Sequence, residues 1–448
     1  MDKPKLIVNA SIIKIIGVFE FDDKSQNLDS LLRKHHFKNN PIVDEPDNTH
    51  KNLWYPEFRN MFILEKGENS STIYLKSINK ELTFFVRENQ ATKEKEYLNI
   101  SILNVELFTF KEGLHFFSIE VAIKQNELSF YSDLTYVINK FNSTLFDDQK
   151  MYSWVNWIEK NCLAGIKIAS TEKSDVKVDD YSGSKFKLFT VLNLVEEVDV
   201  TVREELLYDI GCGAKIGSAG GNENLSPSAD YFKSLLDNKI SVFNNYTILP
   251  LFDSVTVLGN YLFDDTPERI YAKKTWSESY FRIVLYNLFI KFNLYRYNSE
   301  LQEDSEIEEV VLRDRFENFL NVYNFSHISY NFLPNLIYQN HRDSLDVDNE
   351  LKLFQKRINR ISESIQEEQQ KRSNVLLAIV GVFTSISSVQ PVFEFLEGSR
   401  AKLDFNPYGY YFFVILIITL LAIPVLIYAF PQKYKLFKNK WKNKKNSY

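Results

Sequence analysis

Oxygen-bearing and small side chains recur at helical spacing toward the C-terminal end of the chain. Asn374, Gly381, Ser385 and Ser388 fall close to one face of a helix, with Thr384 beside it. Oxygens so arranged can replace part of the hydration shell of a cation on a narrow wet path. The same small residues also let helices pack closely, and the two uses fit these residues equally. One helix cannot enclose a path, so the first use implies several copies of the chain. Glu394 and Glu397 would then ring its mouth with negative charge, the alternative being an ordinary solvated loop. A second candidate is Leu206-Leu-Tyr-Asp-Ile-Gly-Cys-Gly213, where Asp209, Gly211 and Gly213 would let a ligand approach the backbone closely. Its plain alternative is a glycine loop between strands. Other chemistry is scarce. The histidines at 35, 36, 50, 115, 327 and 341 form no His-x-x-x-His pattern, there is no Cys-x-x-Cys, and no metal ligand set can be assigned. Acidic residues at 303, 304, 306, 308 and 309 could bind divalent cations between copies, although a solvated helix face is their default. Trp154 and Trp157 read as core or interface.

The elements that must position these residues can be read from periodicity. Residues 1–150 are rich in β-branched and aromatic runs, among them Leu6 to Phe19, Thr72 to Leu75, Leu82 to Val86, Tyr97 to Phe108 and His115 to Ile123, with a helix near 132–141. Residues 151–276 mix strands (Lys187 to Leu192, Val198 to Val202) with the glycine loop. Residues 277–347 turn helical. Leu351, Phe354, Ile358, Ile361 and Ile365 then repeat at steps of three and four, a heptad stripe that predicts one stalk helix over 348–393. Its last part, Val375 to Phe393, and the stretch Tyr410 to Phe430 contain no Asp, Glu, Lys or Arg. Each is about the ~20 residues needed to cross a hydrocarbon core. The expected fold class is therefore an α+β cytosolic domain, a long stalk helix and a two-helix C-terminal transmembrane hairpin. Its loop is expected at 394–409, its second span at 410–430 and a basic tail at 431–448.

Charge sets the expected orientation. The tail holds seven lysines and no acid, and Lys371 and Arg372 precede the first span. Positive charge stays on the cytoplasmic side, which predicts an inner-membrane, multi-pass chain with both termini cytoplasmic. Met1 to Lys5 open no signal-peptide pattern, and two cysteines in 448 residues leave disulfides out of the design. The net charge of −6, less the tail's seven positive charges, gives −13 for residues 1–430. An acidic body argues against direct nucleic-acid binding, and the basic tail reads as a contact to an anionic bilayer.

Several segments resemble the CorA family of divalent-cation channels. Asn374-Val-Leu-Leu-Ala-Ile-Val-Gly-Val-Phe resembles the family's opening to its first span. Tyr408-Gly-Tyr and Phe437-Lys-Asn-Lys-Trp441 resemble the segments flanking its second. The resemblance covers residues 345–448 and implies a pentameric funnel with a path along the first span, but not magnesium selectivity, with a divalent cation (Mg²⁺) or a nucleotide as the ligand it would admit. The family's Gly-Met-Asn signature is absent, since Phe393-Glu-Phe-Leu-Glu-Gly398 stands in its place. Divergent relatives without it act beside type III CRISPR systems as effectors in antiviral defence. They are switched by a nucleotide second messenger, a conjugate of S-adenosylmethionine and AMP. The resemblance thus implies a homo-oligomeric, ligand-gated ion channel and no enzyme, with a divalent-cation transporter or a non-conducting effector as alternatives. Asp209 to Gly213 separately resembles the first motif of S-adenosylmethionine-dependent methyltransferases, without the surrounding βαβ pattern.

Overall fold

A computed structural model describes residues 5–19, 28–39, 53–62, 72–88, 93–110, 114–163, 166, 168, 185–221, 226–263, 272–303 and 306–403. Two compact units divide the chain, residues 1–354 and 355–448. The first is organised by one mixed sheet of ten strands. In chain order these are β1 (Val8–Phe19), β2 (Lys38–Asn39), β3 (Thr72–Glu88), β4 (Lys95–Thr109), β5 (His115–Ile123), β6 (Thr144–Asp147), β7 (Lys150–Ser153), β8 (Lys187–Leu194), β9 (Tyr246–Pro250) and β10 (Ser254–Asn260). They lie side by side as β7-β6-β3-β4-β5-β1-β8-β10-β9, with β2 also on β3. Residues 1–150 and 187–260 thus share one sheet. The neighbours are antiparallel except β8 and β10, which run parallel. Such a pair needs a crossover between its strands.

Helices cover both faces, which is why β8, β10 and Ile12 to Phe19 of β1 are buried at every position instead of alternately. On one face lie α1 (Leu128–Ile138) and α2 (Val200–Cys212), whose Leu134, Val137, Leu207 and Ile210 share a core with Ile15, Ile119 and Leu192 of the sheet. On the other lies α3 (Phe281–Glu303), where Phe281 meets Phe108 and Phe189, and Phe289 and Phe292 meet Phe116. Then follow α4 (Glu306–Tyr323), α5 (Phe332–Ser344) and α6 (Val347–Leu403).

Two local expectations change. Thr72 to Leu75 and Leu82 to Val86 belong to the single strand β3, which carries a register shift between Ser77 and Lys80. Val198 to Val202 is no strand. Asp199 caps α2 there, its carboxylate accepting from the Thr201 amide at 2.9 Å, and Val200 and Val202 are exposed in the first turn.

The C-terminal expectation is overturned. Among the described residues no helix is long and apolar enough to cross a membrane. The stretch expected as a first span is the later part of a 57-residue helix, α6, that runs unbroken through Phe393 to Leu403. Thr384, Ser385, Ser387, Ser388 and Gln390 dilute its apolar character, and Glu394 and Glu397 continue it as helix where a loop was expected. The described residues therefore contain no transmembrane hairpin, and the multi-pass inner-membrane placement, with the channel and funnel built on it, loses its first span. Residues 410–430 and the lysine-rich tail lie outside the described residues.

Candidate functional site

The glycine motif has a structural use. Asp209 to Gly213 is the last turn of α2 and its C-cap, not a strand end. Gly213 adopts φ +64°, and a Cβ there would lie 2.8 Å from the Tyr136 backbone nitrogen. A Cβ on Gly211 would lie 2.9 Å from Leu251 Cδ1 and 3.1 Å from the Ser254 and Thr256 hydroxyls, so this glycine lets α2 sit close on β10. The buried Asp209 carboxylate accepts from the Gly217 and Ala219 amides at 2.6 and 2.9 Å and so shapes the following loop. Burial pushes its carboxyl up to about 6, against the pull of those two amides. All three residues are spent inside the fold.

Asn374, Gly381 and Thr384 lie on α6. The Thr384 hydroxyl donates to the Val380 carbonyl at 2.8 Å, back into its own helix. A Cβ on Gly381 would meet nothing within 4 Å among the described residues. Glu394 is exposed, while the side chains of Ser385, Ser388 and Glu397 lie outside the described ones. The side chains of the acidic patch at 303, 304, 306, 308 and 309 fall outside them too. Among the described residues no group of three His, Cys, Asp or Glu side chains could hold a metal. Of the stripe, Leu351, Phe354 and Ile358 are buried, Phe354 packing on Phe316 and Tyr297 at 4.4 and 6.2 Å.

A different place gathers polar groups in a concavity. Between the end of α4 and the start of α6 lies a cleft of about 470 Å³, lined by Asn324, Phe325, Ser326, Tyr338, Gln339, Asn340, Arg342, Asp343 and Asp348. Asn335 of α5 builds one rim. Its Oδ1 accepts from the amides of Ile328 and Ser329, and its Nδ2 donates to the Ser329 carbonyl, which fixes the α4–α5 loop. Tyr338 donates to the Phe325 carbonyl at 2.7 Å and anchors the next part of that loop.

Arg342 joins the parts. Its Nη2 donates to Asn324 Oδ1 at 2.8 Å, Nη1 to the Tyr338 hydroxyl at 2.9 Å and Nε to Asp348 Oδ1 at 2.6 Å. One buried guanidinium thus ties the loop, α5 and the first turn of α6 together. Asp343 shares the wall, and burial, followed by the nearby charge of Asp348, raises its carboxyl above the usual range. The turn between α5 and α6 is tight, with Asp346 at φ +54°, a conformation Asp and Asn tolerate better than most residues. Lys291 of α3 closes it from inside, donating to the Leu345 carbonyl at 2.5 Å and to Glu350 Oε1 at 2.6 Å.

Sequence reading passed over Arg342, Asp343 and Asp348 because their partners are distant or lie across a helix break. Their one signal is the polar run Gln339 to Asp343 in an otherwise apolar helical region. No family model, curated protein or solved structure matches this chain. The cleft offers amide, hydroxyl and carboxylate groups at a volume suited to a small molecule.

Proposed function

We propose that this chain is a ligand-responsive, self-associating effector. A small polar molecule of nucleotide second-messenger type, with the S-adenosylmethionine–AMP conjugate as the leading candidate, binds the cleft, and α6 carries the response. One observation supports this most: the cleft wall contains the Arg342–Asp348 pair that fastens the beginning of a 57-residue helix. A ligand that favours one arrangement of that wall biases the helix leaving it.

Self-association is supported by the later part of α6. Val375, Leu376, Leu377, Ile379, Val380 and Phe383 are all exposed in the single chain, Phe383 by 67 %. Helices with apolar residues around so much of their circumference are ordinarily covered. In this reading copies of the chain cover one another there, with the small residues Gly381, Thr384, Ser385 and Ser388 allowing close approach.

Isothermal titration calorimetry of the full chain with the S-adenosylmethionine–AMP conjugate, AMP and S-adenosylmethionine tests the ligand. Saturable binding of the conjugate, weakened at least ten-fold by Asn324→Ala, is expected. Binding that Asn324→Ala and Asn340→Ala leave untouched would place the ligand elsewhere, and no binding of any of the three would remove this ligand class. Sedimentation of the chain as a monomer at all concentrations would remove self-association.

A further inference from the structure

Two ion pairs hold the first turns of α6, and they differ in what solvent reaches. Lys291 and Glu350 meet at 2.6 Å with side-chain exposures of 3 % and 24 %. Arg342 and Asp348 also meet at 2.6 Å, but there the guanidinium side chain is 7 % exposed and the carboxylate 53 %. Nε, Nη1 and Nη2 of Arg342 each already donate to a partner. Because the Asp348 side chain is far more exposed than that of Arg342, a molecule entering the cleft meets the Asp348 carboxylate first, with Asp343 on the same wall. Asp343 and Asp348 repel each other, and one guanidinium sits against the two of them. The wall thus favours a positively charged group on the incoming molecule.

We propose that the Arg342–Asp348 pair is a ligand-released latch on α6, opened when a cationic group of the bound molecule takes Asp348 from Arg342. The Lys291–Glu350 pair stays closed and acts as the pivot. The exchange replaces one charge-assisted hydrogen bond with another. Arg342 keeps Tyr338 and Asn324 as partners after Asp348 leaves, so no buried charge is stranded. The latch rests on the reading of the cleft as the ligand site, and it can be tested with and without a ligand.

Hydrogen exchange of residues 347–354 in the full chain, measured without ligand, tests the device itself. Asp348→Asn removes the latch at an exposed position. Asp346→Asn removes a negative charge from the same helix start, where Asp346 accepts from Asn349 at 3.1 Å, and serves as control. Exchange about ten-fold faster in Asp348→Asn, and less than about two-fold faster in Asp346→Asn, is expected. Equal exchange in both variants and the parent would overturn the latch, whatever binds the cleft. Calorimetry with S-adenosylmethionine against S-adenosylhomocysteine, which differ in a sulfonium and a neutral thioether, tests the cationic trigger. The sulfonium compound should bind about ten-fold tighter, with the preference shrinking in Asp348→Asn. Affinities that Asp348→Asn leaves unchanged for both compounds, each of which also carries an α-ammonium, would overturn the cationic trigger. Absence of binding by both, with the exchange difference intact, would overturn ligand release and the cleft reading together while the latch itself stood.

Discussion

Helices α3 and α6 differ in the opposite sense to their compositions. From Phe281 to Leu294 every residue of α3 is buried, including Arg282, Asn287, Lys291 and Asn293. Between Gln355 and Phe383 of α6, only Ile358 and Ala378 are buried among the described side chains, although the stretch from Val375 is the more apolar of the two. The difference teaches that apolarity does not place a helix. Helix α3 lies against a fully formed sheet face, and several of its buried polar groups find hydrogen-bond partners. Asn287 Nδ2 donates to the Tyr338 carbonyl at 2.8 Å, Lys291 closes the α5–α6 turn, and Asn293 Nδ2 bonds the Phe289 carbonyl at 2.9 Å. Along α6 beyond its opening turns, Val375, Leu376, Leu377, Ile379, Val380 and Phe383 are exposed instead.

The largest effect expected from this contrast is at Phe289, fully buried and stacked on Phe110 at 4.3 Å. Phe289→Ala should cost about 3–5 kcal/mol in urea denaturation of the full chain. A cost below about 1 kcal/mol would mean that α3 is not the interior helix described. Next comes Lys291→Ala, which strips the Leu345 carbonyl and the Glu350 carboxylate of a shared donor. About 3 kcal/mol is expected, with Lys291→Met less costly because it keeps the apolar stem.

A smaller effect is pH-dependent. His341 of α5 is buried beside Asn287 of α3, and burial, then the charge of Lys187, holds it neutral down to about 3. Its ordinary value is 6.5, so between pH 6.5 and about 3 the unfolded chain binds a proton that the folded chain does not. Stability from this group is present above pH 6.5 and is lost as pH falls toward 3. His341→Gln should flatten that part of the stability–pH curve, and an unchanged slope would show that the imidazole does not report on the α3–α5 interior.

The smallest effect on folding should come from α6. Phe383→Ser and Val380→Ser should change the stability of the first unit by less than about 0.5 kcal/mol, while lowering self-association measured by sedimentation. A large loss of folding stability would show that this stretch is packed within the chain, and would bring the two helices closer in kind than the structure makes them.

Much of the sheet was legible because its information is local. β-branched and aromatic runs marked β1, β4, β5 and β8, and the helical character of 277–347 was plain. Strand β3 was split in reading because Ser77 to Lys80 interrupts its apolar residues, while the structure absorbs the interruption as a register shift. Val198 to Val202 misled because strand propensity there is overruled by the Asp199 cap. The candidate site was hardly legible. Arg342 gains its meaning from Asn324 and Asp348, and Lys291 from Glu350, a partner 59 positions away. The glycine motif was legible as close backbone approach but not as to what approaches, which proved to be Leu251, Ser254 and the backbone of Tyr136.

By itself the sequence determined the propensities that act over a few residues: where most strands form, and that Leu351 onward continues as helix. These depend on backbone sterics and neighbouring side chains, which the chain carries wherever it goes. Only the tertiary structure decided that α3 is enclosed, that the glycines of α2 serve packing, that the apolar part of α6 stands exposed, and that a polar cleft forms where α6 begins. Each is a question of what surrounds a residue, and desolvation and pairing are settled by neighbours that the chain brings together only on folding.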